Sequence, residues 1–171
     1  MAGWKACPTD MFDPIFTSFQ TALVSGGSVE QPLDMLLAAL RARAVGLWRC
    51  RHDHLEQVGF RAVLDMPEIV RRDFAAATQR VPLSEVGLGI VKAAVSGQPA
   101  IAKVVTTGGL GQSAGWLARF EARQSVAFPV TLKGVVIGVL ASSSAEEIHE
   151  GDPGWQLISR LASEIGPYLK K

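Results

Sequence analysis

The chain has 171 residues and a net charge of +1, with 48% hydrophobic and 19% charged residues. This length suits one domain with one hydrophobic core, and the composition argues against a disordered chain and against a membrane span. The small net charge argues against an extended nucleic-acid-binding surface, so we expect neither nucleic acid nor a membrane as a partner.

The cysteines and the N-terminal residues favour a cytoplasmic protein. Cys7 and Cys50 are too few to form a disulfide framework and are not spaced as a CxxC pair. Asp10 and Asp13 lie where a secretory signal peptide would need an uncharged apolar run. We therefore expect the protein to be located in the cytoplasm.

Two amphipathic helices are predicted at the start of the chain. Asp13 and Pro14 suit the N-cap and the first turn of a helix, and apolar residues follow at helical spacing until Gly26. Ser28 and Gln31 then have the spacing of a capping box, in front of leucines that recur every three or four residues. A second helix is therefore expected directly after the first.

The middle of the chain predicts a hairpin, two helices and a strand. Residues 44–50 and 55–60 carry β-branched and aromatic side chains on either side of a polar connection, which predicts an antiparallel hairpin. Capping and turn residues then indicate helices over about 65–79 and 84–97. Residues 100–105 follow as a short strand.

The last part of the chain predicts a helix, a second hairpin and a terminal helix. Residues 106–122 are a glycine-rich loop that passes into a helix. Along 125–132, large apolar residues alternate with small or polar ones, as in a strand with one apolar face. Residues 135–141 are apolar throughout, so this strand is expected inside the sheet with helices on both sides. A final amphipathic helix begins at about residue 152.

The order of these segments indicates an α+β fold with a mainly antiparallel sheet, and it resembles the GAF domain family of small sensory and regulatory modules. The resemblance rests on residues 44–60, 86–105 and 125–142 together with the terminal helix. It implies a GAF-like (PAS-like) central antiparallel sheet of five or six strands with helices on both faces. We expect residues 28–171 to form the GAF domain and residues 1–27 to form an N-terminal helical extension.

The resemblance implies a noncatalytic sensory domain in signal transduction. It implies a small-molecule ligand held between the sheet and the helices and loops around residues 66–123. Ligand occupancy would bias the terminal helices, which we expect to pair in the homodimer of a bacterial regulator and to pass the signal to an effector protein or domain. The sequence does not identify the ligand or a cofactor.

Ten residues are predicted to bind the ligand. Aromatic side chains are expected to line the pocket, and Arg119 and Arg123, one helical turn apart, are expected to supply positive charge at its mouth. The same aromatic residues also suit an ordinary core, and the same arginines a solvated helix face. The ten residues are Trp48, Phe60, Gly111, Gln112, Ser113, Trp116, Arg119, Phe120, Arg123 and Phe128.

Residues 109–114, GLGQSA, have the G-x-G-x-x-A spacing of a dinucleotide-binding turn between a strand and a helix. That turn also needs an acidic residue about 20 positions later, and none occurs there, so we reject dinucleotide binding. The backbone amides of Gly111, Gln112 and Ser113 are still candidates for holding an anionic part of a ligand. The alternative is a flexible loop without a ligand.

Metal and catalytic roles lack the residues that they need. His52, Asp53 and His54 share one turn, but a closed zinc site needs four ligands. Bilin-binding and methionine-sulfoxide-reducing members of the family use cysteines, and none occurs after Cys50 here. The N-K-F-D-E set of cyclic-nucleotide binders is also absent. We therefore predict neither enzyme activity nor a metal site.

Two alternatives to a ligand sensor stay open at the level of sequence. One is a dimerisation or scaffold module whose pocket is filled by its own aromatic side chains. The other is an enzyme similar to the free methionine sulfoxide reductases, although the cysteines of that group are missing. A cavity of at least ~300 Å³ with a few polar groups would favour sensing, and a packed interior would favour the scaffold.

Overall fold

The computed structural model describes residues 8–104 and 109–169. A 3-10 helix at Pro8–Met11 leads into α1 (Phe12–Ser25) and α2 (Glu30–Leu40), and the other described helices are α3 (Glu68–Ala77), α4 (Gly89–Ser96), α5 (Gly111–Phe120), α6 (Pro153–Glu164) and α7 (Gly166–Leu169). The strands are β1 (Ala44–Cys50), β2 (His54–Ala62), β3 (Arg80–Pro82), β4 (Ala100–Lys103), β5 (Gln124–Leu132) and β6 (Val135–Ser144). None of the helices in these residues combines the length and the apolar character that crossing a membrane requires.

The six described strands form one antiparallel sheet in the order β3-β2-β1-β6-β5-β4. This confirms the predicted α+β fold with five or six strands and helices on both faces. Strand β3 is not predicted by the sequence, because Arg80–Pro82 is too short to show an alternating pattern and ends in proline. It extends the sheet beside β2.

Strand β6 lies inside the sheet, between β1 and β5, as its apolar sequence predicts. Val139 and Leu140 are both fully buried although they point to opposite faces of the sheet, so helices cover this strand on both sides. The cover does not reach the start of the strand, where Val135 is 62% exposed. The predicted burial on both faces therefore begins at Gly138 and not at the start of the run.

The two faces of the sheet carry side chains of different size. The terminal-helix face is covered by α1, α2, α6 and α7, and its central positions are the larger residues Val45, Leu47, Val126, Phe128, Val130 and Leu140. The cavity face is covered by α3, α4 and α5, and the central strands carry Trp48, Val139 and six small residues on it, namely Ala44, Gly46, Ser125, Ala127, Ala141 and Ser143. Because successive residues of a strand point to opposite faces, β1, β5 and β6 each contribute to both.

The terminal helices bury their apolar stripes within the chain. Ile15 and Phe19 of α1 are fully buried, as are Ile158 and Leu161 of α6, and all four belong to one hydrophobic cluster. The stripes that suggested pairing across a dimer are therefore already used inside one chain. Helix α1, which the sequence predicts as part of an N-terminal extension, contributes to the same hydrophobic cluster.

The first four α-helices begin at other residues than the sequence predicts. Helix α1 begins at Phe12 without a side-chain cap, so Asp13 is inside the helix. Helix α2 begins at Glu30 after Val29 and without a side-chain cap, so the predicted capping box is not formed, and α3 begins at Glu68 and not near residue 65. Helix α4 begins at Gly89, because residues 84–88 form turns. The end of α4 agrees with the prediction, since Gly97 adopts the left-handed conformation (φ 70°) that ends many helices.

Candidate functional site

A cavity of about 50 Å³ lies between the cavity face of the sheet and helices α3, α4 and α5. The six small residues of the cavity face form its floor, and Trp48 and Phe60 of the first hairpin also line it. Its roof consists of Phe74, Leu88, Ile90, Ser113, Trp116, Leu117 and Phe120. The cavity thus lies between the sheet and residues 66–123, the region in which the resemblance implies a ligand.

The floor is hollow because small side chains are neighbours on β1, β5 and β6. Ala141 pairs with Gly46 on one side and with Ala127 on the other, and Ser143 pairs with Ser125. Larger side chains at these positions would fill the layer between the sheet and the helices, as they do in ordinary cores. The space therefore follows from the register of three strands.

Trp48 limits the cavity at the hairpin. Its indole lies over Gly46 of the same strand, because a Cβ atom at Gly46 would be 2.5 Å from the indole ring. Nε1 of the indole donates a hydrogen bond of 2.8 Å to the carbonyl oxygen of Thr78, just after α3. With its N–H already paired, Trp48 presents only apolar ring surface to a ligand.

Phe74 of α3 is the central ring of the aromatic lining. Its centroid is 4.9 Å from that of Phe60, 5.0 Å from those of Trp116 and Phe120, and 6.3 Å from that of Trp48. These distances and the tilted or edge-to-face geometries are favourable for aromatic pairs. The other four rings therefore contact Phe74 and leave little free volume around it.

Three serine hydroxyls are the polar side chains of the lining. Oγ of Ser113 accepts a hydrogen bond of 2.8 Å from the backbone N–H of Gly89, which connects the starts of α5 and α4. Ser125 and Ser143 occupy paired positions on β5 and β6, and within residues 8–104 and 109–169 no hydrogen bond involves their hydroxyls. No charged side chain of this part of the chain lines the cavity.

Half of the predicted ligand-binding residues line the cavity. The structure brings together five residues from β1, β2 and α5, namely Trp48, Phe60, Ser113, Trp116 and Phe120. The three residues on α5 are distant in sequence from the two on the first hairpin, and only the folded chain brings the two groups together. Their contact with a ligand stays a prediction.

Four other predicted residues lie away from the cavity. Phe128 is on the terminal-helix face, where its ring centroid is 4.7 Å from that of Trp155, because strand alternation directs it away from the cavity. Gly111, Gln112 and Arg123 are exposed and are not part of the lining. These four residues therefore do not line the cavity that the other five form, and a contact with a ligand elsewhere stays a prediction for them.

Arg119 is also outside the cavity, where it connects two helices of the roof. Its guanidinium donates a hydrogen bond of 2.8 Å to the carboxylate of Asp73 on α3. The same guanidinium lies 4.9 Å from the ring centroid of Trp116. The positive charge expected at the cavity mouth is thus paired with Asp73 and is not directed at a ligand.

The backbone amides at the start of α5 do not form an open anion site. The N–H of Ser113 donates a hydrogen bond of 3.1 Å to the carbonyl oxygen of Gly87, so one of the three predicted amides already has a partner. The side chain of Gln112 donates to the carboxylate of Glu85 at 3.1 Å. That carboxylate places negative charge beside the helix N-terminus, which disfavours a bound anion.

Phe74 and the floor residues were not among the predicted site residues. Phe74 is a single aromatic residue on a helix with few apolar positions, so its pattern does not separate it from an ordinary core residue. The sequence could have identified part of the floor, because Ser125 and Ala127 are among the small or polar residues that alternate with large apolar ones along 125–132. The remaining signal is the register of β1 and β6, which is not local in sequence.

Cys50 lies at the end of β1 and is not an activated thiol. Burial raises the pKa of this thiol from 9.0 to about 11, so little thiolate exists at neutral pH. The nearby turn is occupied by internal contacts, since His54 Nδ1 is 2.8 Å from the Asp53 carboxylate and His54 Nε2 is 3.1 Å from Arg80. Over residues 8–104 and 109–169, no three acidic, histidine or cysteine side chains are grouped as metal ligands.

No protein-family model and no curated protein sequence matches the chain. Solved structures match its fold over nearly the full length. The GAF domain of a phosphoenolpyruvate-protein phosphotransferase from Coxiella burnetii superposes with a TM-score of 0.67 at 17% identity, covering 94% of this chain and 94% of that chain. The chain has a GAF-like fold.

Other proteins with the GAF-like fold differ in what they bind. The free methionine-R-sulfoxide reductase from Neisseria meningitidis, solved with its substrate, matches with a TM-score of 0.65 at 13% identity over 99% of this chain and 94% of that one. The phycoerythrobilin-bound GAF domain from a cyanobacterial phytochrome matches with a TM-score of 0.64 at 12% identity over 96% and 97%. At such identities the likeness establishes the GAF-like fold alone.

Proposed function

We propose that this GAF-like chain is a noncatalytic regulatory domain that binds a small uncharged molecule in its cavity. The proposal is carried by the hydroxyls of Ser125 and Ser143, which have no hydrogen-bond partner in the described residues and lie on the floor of a largely apolar cavity. Both residues are half-buried, so water can pair with their hydroxyls while the cavity is empty, and a polar ligand group can take the place of that water on binding. GAF domains of a phosphotransferase and a phytochrome share the fold, which supports a regulatory role.

The lining favours a neutral ligand. No carboxylate, ammonium or guanidinium group of the described residues lines the cavity. An unpaired charge in such surroundings costs several kcal/mol, because it loses its hydration without gaining a partner. We therefore propose a ligand with an apolar body and one or two hydrogen-bonding groups, and we propose no cofactor.

We further propose that occupancy is passed through the sheet to the terminal helices of a cytoplasmic homodimer and from there to an effector. Strands β1, β5 and β6 carry floor residues on one face and contact α2, α6 or α7 on the other, and α1 packs against α2 and α6. A shift of the floor therefore reaches the terminal helices through a single layer of backbone. Because the apolar stripes of these helices are buried, dimer contacts would use outer residues such as Val24, which is 62% exposed.

A scaffold module without a ligand is the second candidate, and the size of the cavity favours it. The cavity of about 50 Å³ is far smaller than the roughly 300–1,000 Å³ of small-molecule sites. The aromatic rings around Phe74 occupy much of the layer in which a ligand would lie. In that case the domain would act through its outer surfaces alone.

An enzyme similar to the free methionine-R-sulfoxide reductases has less support. Cys50 is the free cysteine of the described residues, and burial raises the pKa of its thiol to about 11. A thiol that is protonated at neutral pH is a weak nucleophile. A noncatalytic role therefore fits this chain better.

Native mass spectrometry of the purified protein tests the proposal, since it reports both stoichiometry and retained small molecules. We expect a homodimer that retains a neutral compound. The double variant Ser125→Ala, Ser143→Ala should bind that compound about tenfold more weakly, because two hydrogen bonds together contribute roughly 1–3 kcal/mol. Ser142→Ala is the control on the other face, because Ser142 is a buried serine of β6 without a hydrogen-bond partner in the described residues and pairs with residues of the terminal-helix face.

The scaffold candidate makes the opposite prediction. It expects a dimer without any retained compound, and no rise in melting temperature with a panel of neutral metabolites. Equal loss of binding in the double variant and in Ser142→Ala would also count against the cavity as the ligand site, because a serine on the other face should not contact the ligand.

A further inference from the structure

Phe74 occupies the part of the cavity that could otherwise hold a ring. Its own ring contacts Phe60, Trp116 and Phe120 at centroid distances of 4.9, 5.0 and 5.0 Å. Another aromatic ring in the same position would make the same edge and face contacts, because these depend on ring geometry and not on the chain that carries the ring. The position of Phe74 is thus suited to a planar ligand.

Helix α3, which carries Phe74, has a narrow attachment to the rest of the domain. Val70 and Phe74 are its buried residues. The hairpin holds the end of the helix through hydrogen bonds from Trp48 Nε1 to the carbonyl oxygen of Thr78 (2.8 Å) and from Gln57 Nε2 to Thr78 Oγ1 (3.0 Å). Gln57 also donates to the carbonyl oxygens of Ala75 (3.3 Å, from Nε2) and Gln79 (2.9 Å, from the backbone N–H). Helix α3 is preceded by a turn and followed by the short edge strand β3, so no long strand next to it in the chain holds it against the sheet.

The other attachments of α3 contribute little to holding it in place. The Asp73–Arg119 ion pair, at 2.8 Å, has both side chains more than 40% exposed, and exposed ion pairs contribute little to stability. Nε of Arg71, also on α3, is buried without a hydrogen-bond partner in the described residues. This raises the free energy of the position that α3 has in the structure, because a buried donor loses its hydration without gaining a partner. Helix α3 is therefore the part of the roof that leaves its place most easily.

We propose that α3 is a lid whose Phe74 ring holds the place of the ligand, so that an uncharged compound with one planar ring binds by displacing Phe74 from the roof. This inference rests on the proposed function, because it concerns the same cavity. The exchange is feasible because the incoming ring regains the aromatic contacts of the roof, while its polar group pairs with Ser125 and Ser143.

The volumes agree with a ligand of one ring. An apolar cavity of about 150 Å³ accommodates benzene, whereas the present cavity measures about 50 Å³. Departure of the benzyl group of Phe74 supplies most of the missing space. A phenol-like molecule therefore has the size, the planarity and the single polar group that the site requires.

Calorimetric titration with phenol tests this exchange. We expect Phe74→Ala to bind phenol at least tenfold more tightly than the wild-type protein, because it has no ring to displace. In the Phe74→Ala background, Ser125→Ala with Ser143→Ala should abolish the preference for phenol over benzene. Phe19→Ala is the matched control, since it opens a fully buried site on the terminal-helix face and should not show that serine-dependent preference.

Two titration results would overturn the exchange. One is equal phenol affinity of the wild-type protein and Phe74→Ala. The other is a phenol preference that survives removal of both serines. The first result would mean that the Phe74 ring does not occupy the ligand position, and the second would mean that the two serines do not bind the polar group of the ligand.

Hydrogen exchange on the wild-type protein tests the lid even if Phe74→Ala does not fold. We expect saturating phenol to speed exchange of the α3 amides at least tenfold, because a displaced Phe74 removes the main attachment of the helix, while amides of β1 and β6 exchange more slowly. Phenol that slows exchange in α3 as well as in the sheet would show that binding does not move α3, and the lid would be wrong.

The lid and the proposed function fail in different ways. If native mass spectrometry recovers a natural ligand while phenol slows exchange in α3, the lid is wrong and the regulatory function stands. If phenol releases α3 as expected but the purified protein neither retains nor is stabilised by any natural compound, the lid is right and the regulatory function is wrong.

Discussion

The terminal-helix face and the cavity face are built from the same three strands but differ in side-chain size. On β6 the large Leu140 is followed by Ala141, and on β5 the large Phe128 is preceded by Ala127. The large residues interlock with helices from both ends of the chain, and the small residues leave a cavity beneath aromatic rings. Residues that pack the core and residues that line the candidate site therefore differ in the face of the sheet to which they point, and not in where they lie along the chain.

The largest effect on the free energy of unfolding is expected when a phenylalanine is replaced by alanine on each of the two faces. Phe19→Ala should lower the free energy of unfolding by about 3–5 kcal/mol, because Phe19 is fully buried on the terminal-helix face. Phe74→Ala should cost at least about 1 kcal/mol less, because Phe74 is 9% exposed and borders an existing cavity, so its removal loses fewer packing contacts. Urea unfolding followed by circular dichroism measures both values. Equal losses would mean that the cavity face is packed as rigidly as the other face.

Gly46→Ala should destabilise the cavity face by about 1–3 kcal/mol, because the new methyl group would overlap the indole of Trp48. In a Trp48→Phe background the same change should cost less, since the smaller ring lacks the atoms that clash, and a double-mutant cycle measures this coupling. Gly115→Ala in α5, where nothing lies within 4 Å of the new methyl group, is the control and should be neutral or slightly stabilising. Additive losses in the cycle would contradict the predicted position of the indole.

The reactivity of Cys50 tests the packing at the edge of the cavity face, where this residue is partly buried. Its raised thiol pKa should slow alkylation by iodoacetamide about 100-fold relative to an unperturbed thiol at the same pH, which a Cys7→Ser variant isolates. A folded-state pKa above the unfolded value stabilises the fold below pH 9.0, and this contribution is lost as the pH rises to about 11. Melting curves of wild type and Cys50→Ser should therefore converge or cross in that range. Fast alkylation at pH 7 would instead indicate an accessible, activated thiol.

The smallest effect is expected at the tip of the first hairpin, outside both faces. The hydrogen bond from Arg51, at 2.9 Å, holds the pKa of Glu56 below its ordinary value of 4.5. Glu56→Gln should therefore lower stability at neutral pH by at most about 1 kcal/mol. A depressed carboxyl pKa stabilises the fold above pH 4.5, so the difference in melting temperature should vanish as the pH falls below that value. A difference that persists at pH 2 would point to packing instead of charge.

The sequence by itself predicts the elements and their layers. The apolar run 135–141 predicts a strand covered on both faces, and the structure confirms this from Gly138 onward. The alternation along 125–132 predicts which residues share a face, and Val126, Phe128 and Val130 do share one. Both predictions succeed because side-chain direction repeats every two residues in any strand, whatever the rest of the molecule does.

Only the tertiary structure decided which face holds the candidate site. The alternation does not say which helices cover which face, so Phe128 is predicted beside the cavity and lies on the opposite side. The hollow floor depends on the register that places Ala141 between Gly46 and Ala127, and the filled roof depends on where α3 places Phe74. Register and helix position are set by contacts between residues far apart in the chain, so a local sequence pattern does not predict them.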